Sequence, residues 1–125
     1  MADNIAITAG SGTTVATREK GGSHYQLLLS GITTIVDGRT VVTTAGTRVA
    51  LAGSTACSQV ILTAETDNTG LVVVGAAATV VAAIATRRGI PLAAGDSLTL
   101  EIDNLADIGL DSTVNGDGVT FVYFT

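Results

Sequence analysis

The residues that could take part in catalysis or metal binding are few in this chain of 125 residues. His24 is its only histidine, and no G-x-S-x-G sequence presents a serine that His24 could activate. Cys57 is the only cysteine, so it has no partner for an internal disulfide, and neither residue belongs to a paired zinc-ligand motif. We therefore predict no catalytic, cofactor-binding or metal-binding residue. His24 is expected to be packed or hydrogen-bonded, and Cys57 to be a small buried apolar side chain.

Acidic residues are concentrated toward the C-terminal end, since residues 89–125 contain six acids and neither Lys nor Arg. Such carboxylates could form a general acid/base pair or bind a calcium ion, but their spacing does not match an EF-hand loop. We expect them to be solvated at the surface, with a cation bound at a loop or subunit junction as the alternative. The net charge of -5 at pH 7 argues against nucleic acid as a partner. Five of these six acids are the candidates for such a pair or calcium site: Asp96, Glu101, Asp103, Asp107 and Asp111.

The elements that must position these residues are predicted to be strands. Thr, Val and Ile make up 43 of the 125 residues, and 15 glycines stand against a single proline, a composition typical of strands joined by tight turns. Residues 97–103 (SLTLEID) alternate apolar and polar side chains, and residues 119–125 (VTFVYFT) form a final candidate strand. No segment has a convincing amphipathic helical pattern. We predict an all-β protein, an antiparallel β-sandwich that is jelly-roll-like.

The N-terminal part is predicted to form an extended arm. Residues 4–9 and 13–17 alternate polar and apolar side chains, but glycine-rich breaks separate these short pieces. Such pieces bury little by themselves, because ordering the backbone costs about 1 to 2 kcal/mol per residue. We expect the arm to lie on another surface, and we divide the chain into an N-terminal arm with a connecting β segment (1–39) and a sandwich domain (40–125).

The most apolar window is residues 71–85 (LVVVGAAATVVAAIA), which ends before Thr86 and two arginines. As a helix, fifteen residues would extend only about 22 Å, less than the roughly 30 Å of a bilayer's hydrocarbon core, so we predict no membrane partner. The LVVV segment fits a central strand. The alanine-rich remainder is either a loop or short helix that packs against neighbouring subunits, or ordinary core, and the sequence leaves both open.

Several long segments of the sequence resemble proteins of tailed bacteriophages. Residues 15–26 (VATREKGGSHYQ) are similar to the N-terminal segment of many small virion proteins of these phages. Residues 44–75, 89–105 and 114–125 resemble a β-sandwich module of head-decoration and tail-associated proteins; these phrases include TAGTRVALAGSTACSQ, GIPLAAGDSLTLEIDNL and VNGDGVTFVYFT. Residues 76–88 depart from that resemblance, since an alanine-valine run ending in two arginines replaces a more polar loop.

The resemblance implies a capsid decoration, or cement, protein that is synthesised in the host cytoplasm and binds the outside of the mature phage head. Its expected partners are the major capsid protein and further copies of itself, as a homotrimer over threefold positions. An arm of this kind could add a strand to a capsid-protein sheet, with Ile5 and Ile7 inserted and basic residues and glycines as polar contacts; the alternative is that these residues belong to the sandwich. The candidate contact residues are Ile5, Ile7, Arg18, Lys20, Gly21, Gly22, Arg87 and Arg88.

Three other functions stay open at this point. Within virions, the chain could be a tail or fibre component whose sandwich binds a host glycan. It could also be a carboxylate-dependent glycosidase, or a small carbohydrate-binding module unrelated to phages. We favour a protein without enzymatic activity, because the residues offer no recognisable catalytic arrangement.

Overall fold

The computed structural model describes the backbone of residues 17–20, 23–26 and 32–125, and the side chains of residues 32–125. The chain divides into two compact units, Met1–Ser30 and Gly31–Thr125. The second unit is the β-sandwich. The boundary expected between residues 39 and 40 therefore falls later than this division and inside a strand of the sandwich.

The first unit contains two short antiparallel strands, β1 (Thr17–Lys20) and β2 (Ser23–Gln26). Their register places Thr17 opposite Gln26 and Lys20 opposite Ser23. Arg18 and Lys20, two of the residues expected to make polar contacts, therefore lie on a strand. The segments with Ile5 and Ile7, and the pair Gly21 and Gly22, lie outside the described residues.

The second unit contains eight strands in two four-stranded sheets. The sheet orders are β3-β10-β5-β8 and β4-β9-β6-β7, and every neighbouring pair is antiparallel. The chain crosses between the sheets at nearly every step, which is the connectivity of an eight-stranded jelly roll and confirms the predicted fold class. The strands are β3 (Ile35–Val41), β4 (Val49–Ala50), β5 (Gln59–Ala64), β6 (Val72–Ala76), β7 (Ile90–Leu92), β8 (Ser97–Leu100), β9 (Ile108–Ser112) and β10 (Gly118–Phe124).

The main core lies between the two sheets and follows from side-chain alternation. In β5, Val60, Leu62 and Ala64 are buried while the residues between them are half-buried on the other face. The facing sheet contributes apolar residues such as Val72 and Leu110 to the same cluster. Each fully buried aliphatic side chain of this kind stabilises the fold by about 1.5 to 3 kcal/mol.

Polar side chains hold the loops together at both ends of the sandwich. At one end, buried Asp117 accepts hydrogen bonds from the backbone N–H groups of Thr69 and Gly70, at 3.0 and 2.7 Å. At the other end, Asn104 begins a 3-10 helix (Leu105–Asp107), and its Oδ1 accepts from the N–H groups of Thr55 and Ala106, both at 3.0 Å. These bonds give the loops defined conformations because buried backbone donors need partners.

Candidate interaction surface

The segment that joins β6 to β7, residues 77–89, folds back onto the outer face of its own sheet; we refer to it as the apolar loop. Val80 and Ala82 in this loop are buried and form a second apolar cluster with Val73 of β6. Val72 and Val74 face the main core, so β6 is covered on both of its faces. This explains why the sequence of β6 is continuously apolar instead of alternating.

The apolar loop can lie directly on the sheet because glycines stand beneath it. Gly75 of β6 and Gly109 of β9 are cross-strand partners. A Cβ added at Gly109 would lie 2.6 Å from Cα of Ala77 and 2.9 Å from a methyl group of Val80. A Cβ at Gly75 would lie 3.2 Å from the other methyl group of Val80. Any larger residue at Gly109 therefore displaces the loop or the strand.

Asp111 holds the apolar loop on the sheet from below. Its side chain is almost wholly buried, with 1% exposed. Oδ2 accepts a hydrogen bond from the N–H of Ala82 at 2.7 Å. Oδ1 accepts from the N–H of Gly46, in the loop between β3 and β4, and from the N–H of Ser112, both at 2.9 Å. The expectation that Asp111 is a solvated surface carboxylate is wrong, because the loop covers it and three backbone donors replace water.

The outer part of the apolar loop presents an apolar tip beside two arginines. We define the loop tip as residues 83–86, all exposed, in which Ile84 begins a short 3-10 helix and has 85% of its surface exposed. Below the tip, the backbones of Val81 and Arg88 exchange two hydrogen bonds of 3.1 and 2.9 Å. Arg87 is half-buried, and its Nε donates to the carbonyl oxygen of Ala82 at 3.0 Å. The tip is thus held by bonds that leave Ile84 in solvent.

A second apolar surface lies beside the loop, at one edge of the sandwich. A cleft of about 360 Å³ opens between the edge strands β7 and β8, and we call it the side cleft. Ile90 and Asp107 both line the cleft; Ile90 is 46% exposed, and Asp107 is also exposed. Its aliphatic lining is Val74, Ile90, Leu98, Leu100, Ile102 and Ile108.

The candidate metal ligands are not clustered within the described part of the chain. No group of three or more His, Cys, Asp or Glu side chains there is placed to hold a metal ion. Cys57 is half-buried, not buried as predicted, because it lies at the end of the sandwich. Its Sγ donates to the carbonyl oxygen of Ile102 at 3.1 Å. Partial burial and the nearby charge of Asp103 raise the pKa of this thiol.

One ion pair lies on the outer face of the first sheet. Nε and Nη2 of Arg39 both donate to the carboxylate of Glu65, the second at 3.0 Å. This hydrogen bonding, and then the opposite charge of Glu65, raise the pKa of Arg39. Arg39 and Thr120 line two shallow depressions, one with Asp37 and Thr63 and the other with Glu65. Because Glu65 already neutralises the charge of Arg39, these depressions are weak candidate sites for an anion.

The predicted contact residues are divided between the two units. Arg18 and Lys20 lie on β1 in the first unit, whereas Arg87 and Arg88 lie in the apolar loop of the second. Sequence reasoning did not single out Ile84 or the side cleft. The signal available for Ile84 was its place between alanines in a run that ends in two arginines, but a buried isoleucine fits the same pattern.

Comparisons with known proteins found no relative of this chain. No protein-family model, curated protein or solved structure matches this chain. Within the part of the chain that the structure describes, no helix has the length and apolar character needed to cross a membrane.

Proposed function

We propose that this chain is a structural protein of a tailed-phage virion, a decoration or cement protein that binds the outside of the mature head. It would contact neighbouring major capsid protein subunits and stabilise the contacts between them. The proposal combines the resemblance of its sequence phrases with a jelly-roll sandwich, a fold that also occurs in viral capsid proteins.

The observation that carries the proposal is the apolar loop. Its tip exposes Ile84 beside basic side chains, and the buried hydrogen bond from Ala82 to Asp111 and the packing of Val80 hold the loop against the sheet. An exposed apolar tip on a support that is packed against the sheet is suited to contact another protein of the head, either the capsid protein or a further copy within the trimer. Binding by such a surface loses little conformational freedom, which is an advantage for a protein that acts through many repeated contacts.

The N-terminal arm is part of the same proposal. Ile5 and Ile7 would insert into a capsid-protein sheet edge, with Arg18, Lys20, Gly21 and Gly22 as polar contacts. The proposed function also includes a homotrimer that binds at threefold positions of the head. Repeated weak contacts from three copies would give a much slower dissociation than any single contact.

The decisive experiment is the copy number of the chain in purified virions of the phage that encodes it, measured by mass spectrometry against the major capsid protein. Hundreds of copies per particle support decoration. A handful of copies would instead support the alternative, a tail or fibre component that binds a host glycan. Heads that lack the protein are expected to lose their DNA at lower temperature than wild-type heads, and equal heat stability would contradict a cementing role.

A binding assay tests the surface itself. Purified protein is added to expanded heads that lack it, and bound protein is measured after sedimentation. We expect Ile84→Ser to reduce binding, whereas Ile35→Ser should bind like the wild type. Ile35 is a matched control because it is also strongly exposed, at 63%, but lies on β3 of the other sheet. Equal binding by Ile84→Ser and the wild type would contradict a role for the apolar loop.

A further inference from the structure

The loop tip and the side cleft are complementary surfaces of the same chain. The tip is exposed and apolar, with Ile84 largely in solvent. The cleft is concave and lined by aliphatic side chains from both sheets. In a single copy the two are not joined, since Ile84 remains 85% exposed. An exposed aliphatic side chain and an open aliphatic cleft on one molecule both gain from burial against a partner.

The charges around the two surfaces are also complementary. Arg87 and Arg88 follow the tip, whereas Asp107 lies on the wall of the cleft. Asp107 is exposed, so its carboxylate is available to a partner. Within residues 32–125 the only salt bridge is the one between Arg39 and Glu65, so these charges are not paired with one another in one copy.

We infer that the partner of the loop tip is a second copy of this chain: Ile84 of one copy inserts into the side cleft of the next, and the arginines beside the tip approach Asp107 at the cleft. The contact joins two different surfaces, so three copies related by a threefold axis can form a closed ring. This inference names the contact that would form the homotrimer expected on the head, and in that respect it rests on the proposed function. The contact itself requires no capsid.

Charge complementarity favours a second copy over other occupants. A small apolar ligand would fill the cleft without using the arginines, and a capsid-protein segment would need its own acidic rim to receive the tip. This chain provides both features, an apolar cleft with the carboxylate of Asp107 on its lining and an apolar tip followed by two arginines. Opposite charges at the edge of an apolar contact fix its orientation and exclude pairings that place like charges together.

The test measures self-association of the full-length protein in the absence of capsids. Sedimentation velocity is recorded at protein concentrations from about 1 μM to about 1 mM, the range in which contacts of moderate affinity dissociate. We expect the wild type and Ile35→Ser to form the same oligomer. Ile84→Ser and Ile90→Ser should each weaken association by about 10- to 100-fold, as expected for loss of one buried aliphatic side chain. Circular dichroism checks that each variant is folded. A wild type that stays monomeric throughout, or variants that associate like it, would overturn the inference.

Two mixing experiments distinguish a specific contact from general stickiness. A mixture of Ile84→Ser, whose cleft is intact, with Ile90→Ser, whose tip is intact, should form a hetero-complex that neither variant forms alone. Arg88→Glu and Asp107→Lys should each weaken association several-fold, and the double variant should recover it because the charges are exchanged. Failure of the mixture to associate, or of the double variant to recover, would contradict insertion of tip into cleft.

The outcomes for the two proposals are separable. Abundant protein in virions combined with a monomer in solution would overturn the inference and leave the decoration role supported. An oligomer that depends on Ile84 and Ile90, combined with scarcity in virions, would overturn the decoration role and leave the contact supported. If Ile84→Ser loses binding to heads while self-association is unchanged, the tip contacts the capsid and the inferred partner is wrong.

Discussion

Replacement of Asp111 by Asn gives the sharpest test of how the apolar loop is held. Asn has the same shape as Asp but offers one acceptor oxygen instead of two. With its oxygen at the position of Oδ1, it still accepts from Gly46 and Ser112, and its NH₂ group then faces the N–H of Ala82, which lies 2.7 Å from the carboxylate in the wild type. The opposite orientation places the NH₂ group against two donors. The first orientation is therefore favoured, and Ala82 loses its acceptor.

The size of the effect follows from burial. Asp111 is 1% exposed and Ala82 is equally buried, so water cannot replace the lost acceptor. A hydrogen bond to a charged group contributes about 1.5 to 3 kcal/mol, and an unsatisfied buried donor costs a similar amount. We expect a decrease of about 3 kcal/mol in the free energy of unfolding. For a unit of this size the midpoint of thermal unfolding would fall by about 10 to 20 °C.

Two measurements check this prediction at neutral pH. Urea unfolding followed by circular dichroism gives the change in free energy, with an unchanged slope if only stability is altered. Native-state digestion with trypsin gives the local effect, because Arg87 and Arg88 are cleavage sites in the loop that Ala82 helps to hold. We expect cleavage at these sites to accelerate more than global unfolding accounts for, since the loop can open while the sandwich stays folded.

Asp117→Asn is the matched control. Asp117 is also buried, and its two oxygens accept from Thr69 and Gly70, so the substitution removes a comparable bond from a different loop. It should destabilise the protein without selective cleavage at Arg87 and Arg88. The argument is refuted if Asp111→Asn changes stability by less than about 0.5 kcal/mol, the range of ordinary surface substitutions. Equal acceleration of loop cleavage in both variants would also refute it.

Two further predictions concern packing and thiol chemistry. Gly109→Ala should destabilise the protein by about 1 to 3 kcal/mol in urea unfolding because the new methyl group has no room beneath the loop, whereas Gly53→Ala, with open space around it, should be nearly neutral; similar effects of the two substitutions would disprove the packing argument. Cys57 should react more slowly with iodoacetamide at mildly alkaline pH than the thiol of the urea-unfolded chain, and Asp103→Asn should speed the reaction, since burial and that carboxylate raise its pKa. Because the folded pKa is the higher one, the thiol's contribution to stability is complete below its ordinary pKa and is lost as the pH rises through the folded value. Alkylation at the same rate in folded and unfolded chains would contradict this account.

Local pattern carries much of the information about the strands. Residues 97–103 alternate apolar and polar side chains, and the structure forms β8 from Ser97 to Leu100. The strand itself ends at Leu100, but the pairing resumes in the same register beyond it, since the N–H of Cys57 donates to the carbonyl oxygen of Asp103 and Ala56 forms an isolated bridge with Asn104. Ile102 still packs against the main core, so the side-chain pattern extends beyond the strand that it predicted.

The apolar loop shows where local pattern stops being informative. Its composition is equally compatible with contact to another subunit and with ordinary core, and the structure divides it between two environments. Val80 and Ala82 are buried on Val73, while Ile84 is exposed. The difference depends on space above Gly109, which lies more than twenty residues further along the chain. The spacing of residues within the loop therefore cannot predict that contact.

The amino-acid sequence by itself determined that this protein is an antiparallel sandwich of short strands. Alternation of apolar and polar residues and glycine-containing turns depend only on residues close together along the chain, so both can be read from the sequence. Tertiary structure alone decided that Asp111 is a buried acceptor and not a surface charge, and that the loop containing Arg87 and Arg88 lies against the sheet. The physical reason is that burial and hydrogen bonding join Asp111 to Ala82 and Gly46, which are brought to it only when the two sheets and their loops are assembled.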